Sequence, residues 1–235
     1  MNWNDSPLAS FDTETTGVAP ATDRIVTAAL VRPNGETLRW MADPGIEIPT
    51  AASDIHHVTT AYARKHGRPP AEVVEQIADA IAGELSAGAA LVVMNAPFDL
   101  PLLDAECARY GVLTVADRIG RPVGPVVDPL VLDRAADKWR KGKRHLEALA
   151  AHYGIELTDA HSADADAQAA LGVALAIGEK YSQLQVPAEV LHGWQVTWYE
   201  RWAVDHEAYR RQTNPDFTLG RTWPVATAEP AEVSA

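Results

Sequence analysis

A single cysteine, Cys107, stands among the 235 residues. No internal disulfide can brace the fold, and a disulfide-rich secreted domain is excluded. Long hydrophobic runs are also missing. None approaches the roughly 18 residues of a membrane span, so no membrane partner is expected. The opening stretch MNWNDSPLAS has neither a basic leader nor an apolar segment, and with the lone cysteine this leads us to expect a cytoplasmic location. Positive charge is scarce: 20 Lys and Arg face 32 Asp and Glu, a net charge of −12. That balance argues against a general nucleic-acid coat protein, which relies on clustered cations. A phosphate substrate would need local positive charge, from bound divalent cations or from the basic cluster KWRKGKR. The charges of that cluster are Lys138, Arg140, Lys141, Lys143 and Arg144. It reads equally as a solvated loop or as a substrate contact.

The length and the 47% hydrophobic content fit one buried core plus an appendage. Leu8 to Asp12 reads as a strand. Residues 24–42 read as two strands joined at Asn34-Gly35, a strong hairpin signal. From Pro70 the period changes, with Val73, Val74, Ile77, Ile81 and Leu85 at helical spacing. A buried strand is predicted at 89–95, a helix at 98–110, a strand near 123–128, and helices near 130–139, 145–153 and 163–183. An antiparallel meander followed by strands alternating with helices predicts an α/β fold, a mixed sheet flanked by helices.

The first segment carries SFDTETTGV, with Asp12 and Glu14 one residue apart. Alternation in a strand places both carboxylates on one face. Burying them unpaired would cost several kcal/mol, and a divalent cation with hard oxygen ligands removes that cost. Thr15, Thr16 and Gly17 follow with small side chains where a substrate could approach closely. Taken alone, the pair also fits an acidic strand end facing water. Asp99 opens a helix just after a buried strand, where open sheets tend to hold their sites; it also fits an acid stabilised by the helix dipole. In HSADAD, His161 precedes Asp164 and Asp166 at another helix start, with Ser162 as a candidate N-cap. On a helix of 3.6 residues per turn the two aspartates lie about 200° apart, so one of them can face a shared site.

Together, FDTETTG, NAPFD and a histidine followed five residues later by aspartate resemble, in the same order, the three motifs of the DEDDh (DnaQ-like) 3'-to-5' exonucleases. This is the family of the epsilon proofreading subunit of bacterial DNA polymerase III. The resemblance spans roughly residues 7 to 180. It implies a ribonuclease H-like mixed sheet and two divalent cations, Mg²⁺ or Mn²⁺, held by Asp12, Glu14, Asp99 and Asp166. It also implies His161 as catalytic base, and Thr13, Thr15, Thr16, Gly17, His56, Asn95 and Phe98 as substrate contacts. In DIHHVT, His56 matches the histidine of the family's IHG segment, and His57 stands where glycine is common. Met94 stands where many relatives have histidine.

The implied reaction is hydrolysis of phosphodiester bonds at the 3' end of single-stranded DNA or RNA, releasing nucleoside 5'-monophosphates. An imidazole, with an ordinary pKa near 6.5, suits removal of a proton from water. Paired metals suit both ends of an in-line displacement. The expected organisation is an exonuclease domain at 1–183, a helical extension at 184–223 and a polar, flexible tail at 224–235. In the extension Trp194, Trp198 and Trp202 share one helix face. Such a stripe is expected to pack on the main domain, with docking of a protein partner as the other possibility. A catalytically silent adaptor using that face is the alternative to the enzyme.

Overall fold

The computed structural model describes residues 1–225, so most of the expected tail lies outside the described residues. A five-stranded sheet in the order β3-β2-β1-β4-β5 forms the centre. β1 (Leu8–Thr15) pairs antiparallel with β2 (Ile25–Val31), which pairs antiparallel with β3 (Thr37–Met41). β4 (Ala90–Val92) and β5 (Val126–Val127) continue on the other side of β1, parallel to it. The hairpin turns at Gly35 with φ of 85°, a conformation that glycine adopts without a Cβ clash.

Between the meander and β4 lie α1 (Thr50–His56), α2 (Thr60–His66) and α3 (Pro70–Ser86). α4 (Ala96–Tyr110) and α5 (Val115–Ile119) lead to β5, and α6 (Pro129–Ala136), α7 (Leu146–Tyr153), α8 (Ala163–Lys180) and α9 (Ala188–Arg210) follow. The expected strand at 8–12 runs on to Thr15, and the helix expected at 130–139 stops at Ala136. α1, α2 and α5 were not expected from the sequence. Each is only five to seven residues long, too short to show a helical period.

Strand alternation splits the core into two layers. Ala9, Phe11, Leu91, Val93 and Val126 face α3 and α4, while Leu8, Ala90, Val92 and Val127 face α7 and α8. Trp3 joins the second layer. Its indole N–H donates to the Leu184 carbonyl at 3.0 Å, and Gly178 makes room, since a Cβ there would lie 2.7 Å from the ring. No helix among the described residues is long and apolar enough to cross a membrane.

α9 closes the β5 edge with side chains. His192 Nδ1 accepts from the Val126 N–H at 3.0 Å, Gln195 Nε2 donates to the Val126 carbonyl at 2.9 Å, and Gln195 Oε1 accepts from the Asp128 N–H at 2.8 Å. The buried stripe of α9 is Leu191, Gln195, Tyr199 and Ala203. The tryptophan stripe lies beside it rather than on it: Trp194 is exposed, and Trp198 and Trp202 are partly buried. The basic cluster is divided in role. Arg140 and Arg144 both pair with Asp133, which is fully buried and also accepts from the Tyr153 hydroxyl at 2.7 Å. Two of the five cations therefore hold their own loop, and Lys138, Lys141 and Lys143 stay exposed.

Candidate metal centre

Asp12 and Glu14 stand near the carboxyl end of β1, on the face toward α8. Ser10, two residues earlier on that face, donates its hydroxyl to the Ala167 carbonyl of α8 at 2.7 Å. The register of β1 on β2 slips between Glu14 and Thr15, and such a bulge re-aims the end of a strand. Asp99 arrives from the opposite layer, in the first turn of α4. Thr13, on the other face of β1, fixes it by donating its hydroxyl to Asp99 Oδ1 at 2.6 Å. Asp166 arrives from the first turn of α8, where Glu14, His161 and Asp166 bring ligand atoms within 4.8 Å of one another. Asp164, on the far side of that turn, pairs with Arg39 of β3 at 2.7 Å.

These carboxylates crowd one another. Burial first, then Asp99, Asp166 and Glu14, hold Asp12 well above the ordinary carboxylate range. Burial and the charges of Asp166 and Asp99 push Glu14 up to about 8. Burial raises Asp166 to about 6 against the opposing pull of His161, and burial likewise raises Asp99 despite the Thr13 hydroxyl. Among the described residues no Lys or Arg pairs with any of the four. Asp166 Oδ1 is buried without a hydrogen-bond donor. An orphaned carboxylate oxygen within an uncompensated acid cluster is what a divalent cation with oxygen ligands would satisfy, so the donor set fits a metal.

His161 is half-exposed, with a left-handed φ of 68°, and its backbone N–H donates to Asp166 Oδ2 at 3.2 Å. Its Nε2 lies 3.4 Å from Glu147 Oε1 on α7, and Glu147 also pairs closely with His145. His56 ends α1, buried. Its Nδ1 accepts from the Val58 N–H at 3.2 Å, while Nε2 has no partner. Burial lowers its pKa. His56, His161, Arg39, Met41 and Asp164 line one cleft of about 440 Å³ beside the acids. His57 takes φ of 60°, the left-handed conformation for which glycine is favoured.

The other expected substrate contacts are placed less uniformly. The Thr16 N–H donates to the Arg24 carbonyl at 3.0 Å, and its hydroxyl is engaged with Asp23 and the Arg24 N–H. Those groups build the loop rather than lie open. The Thr15 hydroxyl donates to the Gly17 carbonyl at 2.6 Å, and a Cβ on Gly17 would lie 2.6 Å from Asp23 Oδ2. Asn95 is exposed with φ of 61°, and Phe98 is partly buried against the core.

Sequence reasoning missed two residues that support the site. Asp128, buried, accepts from the N–H groups of Asn95 and Ala96 at 3.0 Å each, of Leu130 at 2.9 Å, and from the Trp223 indole at 3.2 Å. It thereby clamps the start of α4 that carries Asp99. The Asp-Pro step before α6 was an available N-cap signal. Glu147 had no comparable signal, since only the packing of α7 on α8 brings it to His161.

Comparison with known proteins follows the same residues. A family profile described as RNase_T, Exonuclease, matches residues 10–174. The PolC-type DNA polymerase III of Lacticaseibacillus paracasei is 29% identical over 165 residues, 68% of this chain and 10% of that protein. That of Halalkalibacterium halodurans is 31% identical over 169 residues, 70% of this chain and 11% of that protein. E. coli exonuclease I, solved with a dT13 oligonucleotide, superposes with a TM-score of 0.65 at 24% identity, covering 76% of this chain and 42% of the other. Exonuclease I from Methylocaldum szegediense gives 0.65 at 23%, covering 87% and 46%. The chain thus spans about a tenth of the curated relatives and under half of the solved neighbours, and the likeness to the latter is one of fold, a ribonuclease H-like mixed sheet. Because the matched span holds Asp12, Glu14, Asp99 and Asp166, which fold into one cluster, the chain belongs to the RNase_T exonuclease family.

Proposed function

We propose that this chain is a metal-dependent 3'-to-5' exonuclease that hydrolyses the terminal phosphodiester of a single-stranded nucleic acid and releases a nucleoside 5'-monophosphate. The observation that carries this reading is the convergence of four mutually repelling carboxylates beside His161 with, among the described residues, no Lys or Arg pairing them. Asp12, Glu14, Asp99 and Asp166 would hold two divalent cations, Mg²⁺ or Mn²⁺, which when bound supply charge stabilisation to the attacking and leaving oxygens. The protein's own groups do the rest. Thr13 orients Asp99, and Asp128 fixes the backbone from which Asp99 projects.

His161 takes the proton from the attacking water, and Glu147, 3.4 Å from Nε2, stabilises the positive charge that the ring acquires. The water oxygen bonds to phosphorus as the bond from phosphorus to the 3' oxygen breaks, and that oxygen leaves to be protonated. The cleft lined by His56 and Met41 would receive the terminal nucleoside. The relatives are DNA polymerases by name and E. coli exonuclease I was solved with dT13, which supports DNA as the first substrate to test. The lone buried Cys107 suits a reducing cytoplasm.

The test follows 5'-labelled single-stranded DNA and RNA of one sequence with Mg²⁺ or Mn²⁺, beside Asp166→Asn. A descending ladder absent from the variant is expected. No cleavage of either substrate would overturn the reading and leave a binding or adaptor role.

A further inference from the structure

α6 and α9 enclose a groove of about 240 Å³, walled by Val131, Arg134 and Lys138 on one side and Trp198, Arg201 and Trp202 on the other. A second hollow continues it past Trp194 and Leu184. The Arg134 guanidinium stacks on Trp202, 3.6 Å from the ring centroid. It makes no hydrogen bond or ion pair among the described residues, and burial pulls its pKa down to about 10. Lys138 and Arg201 are exposed and make no ion pair among the described residues, Lys138 lying 5.5 Å from the Trp139 ring centroid, and Asp205 is the acid in the groove wall. Arg140 and Arg144 differ in being held by Asp133.

The Arg134 N–H groups are not sealed from the groove, and with Lys138 and Arg201 they leave donors open to an anionic ligand. Trp202 is already stacked with Arg134, 3.6 Å from its centroid, and with His206 at 5.0 Å, which leaves Trp194 and Trp198 as the platforms, one step of about 6 Å apart along the helix. That is wider than the roughly 3.4 Å step of a stacked strand, so the rings suit a strand whose bases are splayed apart. Cations combined with aromatic platforms are the usual makeup of single-strand sites. An acidic peptide would satisfy the cations without using the ring faces. α6 starts at the carboxyl end of β5, the same end of the parallel strands that carries Asp12 on β1. The groove therefore lies on the flank of the sheet, two strands from the acids.

We propose that this groove is a second binding site for single-stranded nucleic acid, seating the part of the strand remote from the hydrolysed end. The choice of ligand rests on the nuclease reading, whereas the site can be tested without it. Anisotropy of fluorescein-labelled oligo(dT) and oligo(U), each roughly 20 nucleotides to exceed a single-strand site, is measured in EDTA, where metal-dependent hydrolysis is blocked. The change in binding when groove residues are substituted then reports on the groove whether or not the chain proves to be a nuclease. In the exposed double variant Lys138→Glu/Arg201→Glu the affinity is expected to fall about tenfold or more, and the salt slope of log K by about 1 to 2. Trp194→Ala, which leaves the charges in place, is expected to weaken binding about fivefold or more with the slope unchanged. Affinities and slopes equal to wild type in both variants would overturn the proposal. So would binding of a Glu-rich peptide that depends on Trp194 and that the oligonucleotides do not displace, which would assign the groove to a protein.

Discussion

In the metal-free protein, raising the pH from 6.5 to 8.5 is expected to lower thermal stability. Glu14 is held at about 8 against an ordinary 4.5, chiefly by burial and then by Asp166 and Asp99. Above about 4.5 the unfolded chain has released this proton while the folded chain retains it, so stability falls as pH rises toward 8. His56, His192 and His206, all lowered by burial, act in the opposite sense. The folded state resists a proton that the unfolded state binds, and that effect fades above about pH 6.5. The window above 6.5 therefore isolates the carboxylates. Between 6.5 and about 8, Glu14 alone contributes a loss of about 2 kcal/mol at 1.36 kcal/mol per pH unit. For a chain of this size that corresponds to about 4–8 °C in Tm, and Asp12, also raised, acts in the same direction. Circular-dichroism melts in EDTA measure it. Mg²⁺ at 100 times its Kd should restore about 2.7 kcal/mol, with tighter binding at pH 8.5 because protons compete for the same oxygens. Glu14→Gln should flatten the apo slope. An apo Tm that is level or rising across the window, or an unchanged slope in Glu14→Gln, would refute the account of the cluster.

Asp12→Ala should abolish hydrolysis while leaving the circular-dichroism spectrum intact, and full activity at the usual metal concentration would remove the acid pair from the mechanism. Glu147→Gln removes the charge beside His161 and is expected to lower kcat by about 3- to 30-fold with KM little changed, an order set by general-base effects; steady-state kinetics on a labelled oligonucleotide reads the split. Asp133→Ala leaves Arg140 and Arg144 without their buried partner, and urea titration should show a loss of about 3–5 kcal/mol.

The hairpin, α3 and the three acid-bearing motifs were legible because each is written within a short window: an Asn-Gly turn, a 3.6-residue period, a carboxylate at a fixed offset. Asp164 and Asp166 also separate by helical angle alone. What escaped depends on distant partners. The basic cluster gave no hint that two of its arginines are bound to a buried aspartate, because Asp133 lies on another turn of chain within an apolar-looking helix. The tryptophan stripe was expected to pack on the main domain, and Trp198 and Trp202 do pack against the core while Trp194 stays exposed. Gln195 and Tyr199, one residue further round, are the more deeply buried, since the two-residue strand β5 needs hydrogen-bonding partners along its open edge and an indole cannot accept. α5 was overlooked although Thr114 and Asp117 form a capping box, a signal readable in TVAD.

That edge has a wider consequence. An uncovered strand is a template on which another chain can grow, and here the cover is supplied by two side chains, His192 and Gln195, rather than by a strand. Protection of the sheet from self-association is thus entrusted to a helix that can be unseated without breaking one β-ladder. A chain cut short after residue 183 would expose the backbone of β5 and withdraw the Trp223 indole from Asp128, coupling loss of solubility to loosening of the acid site.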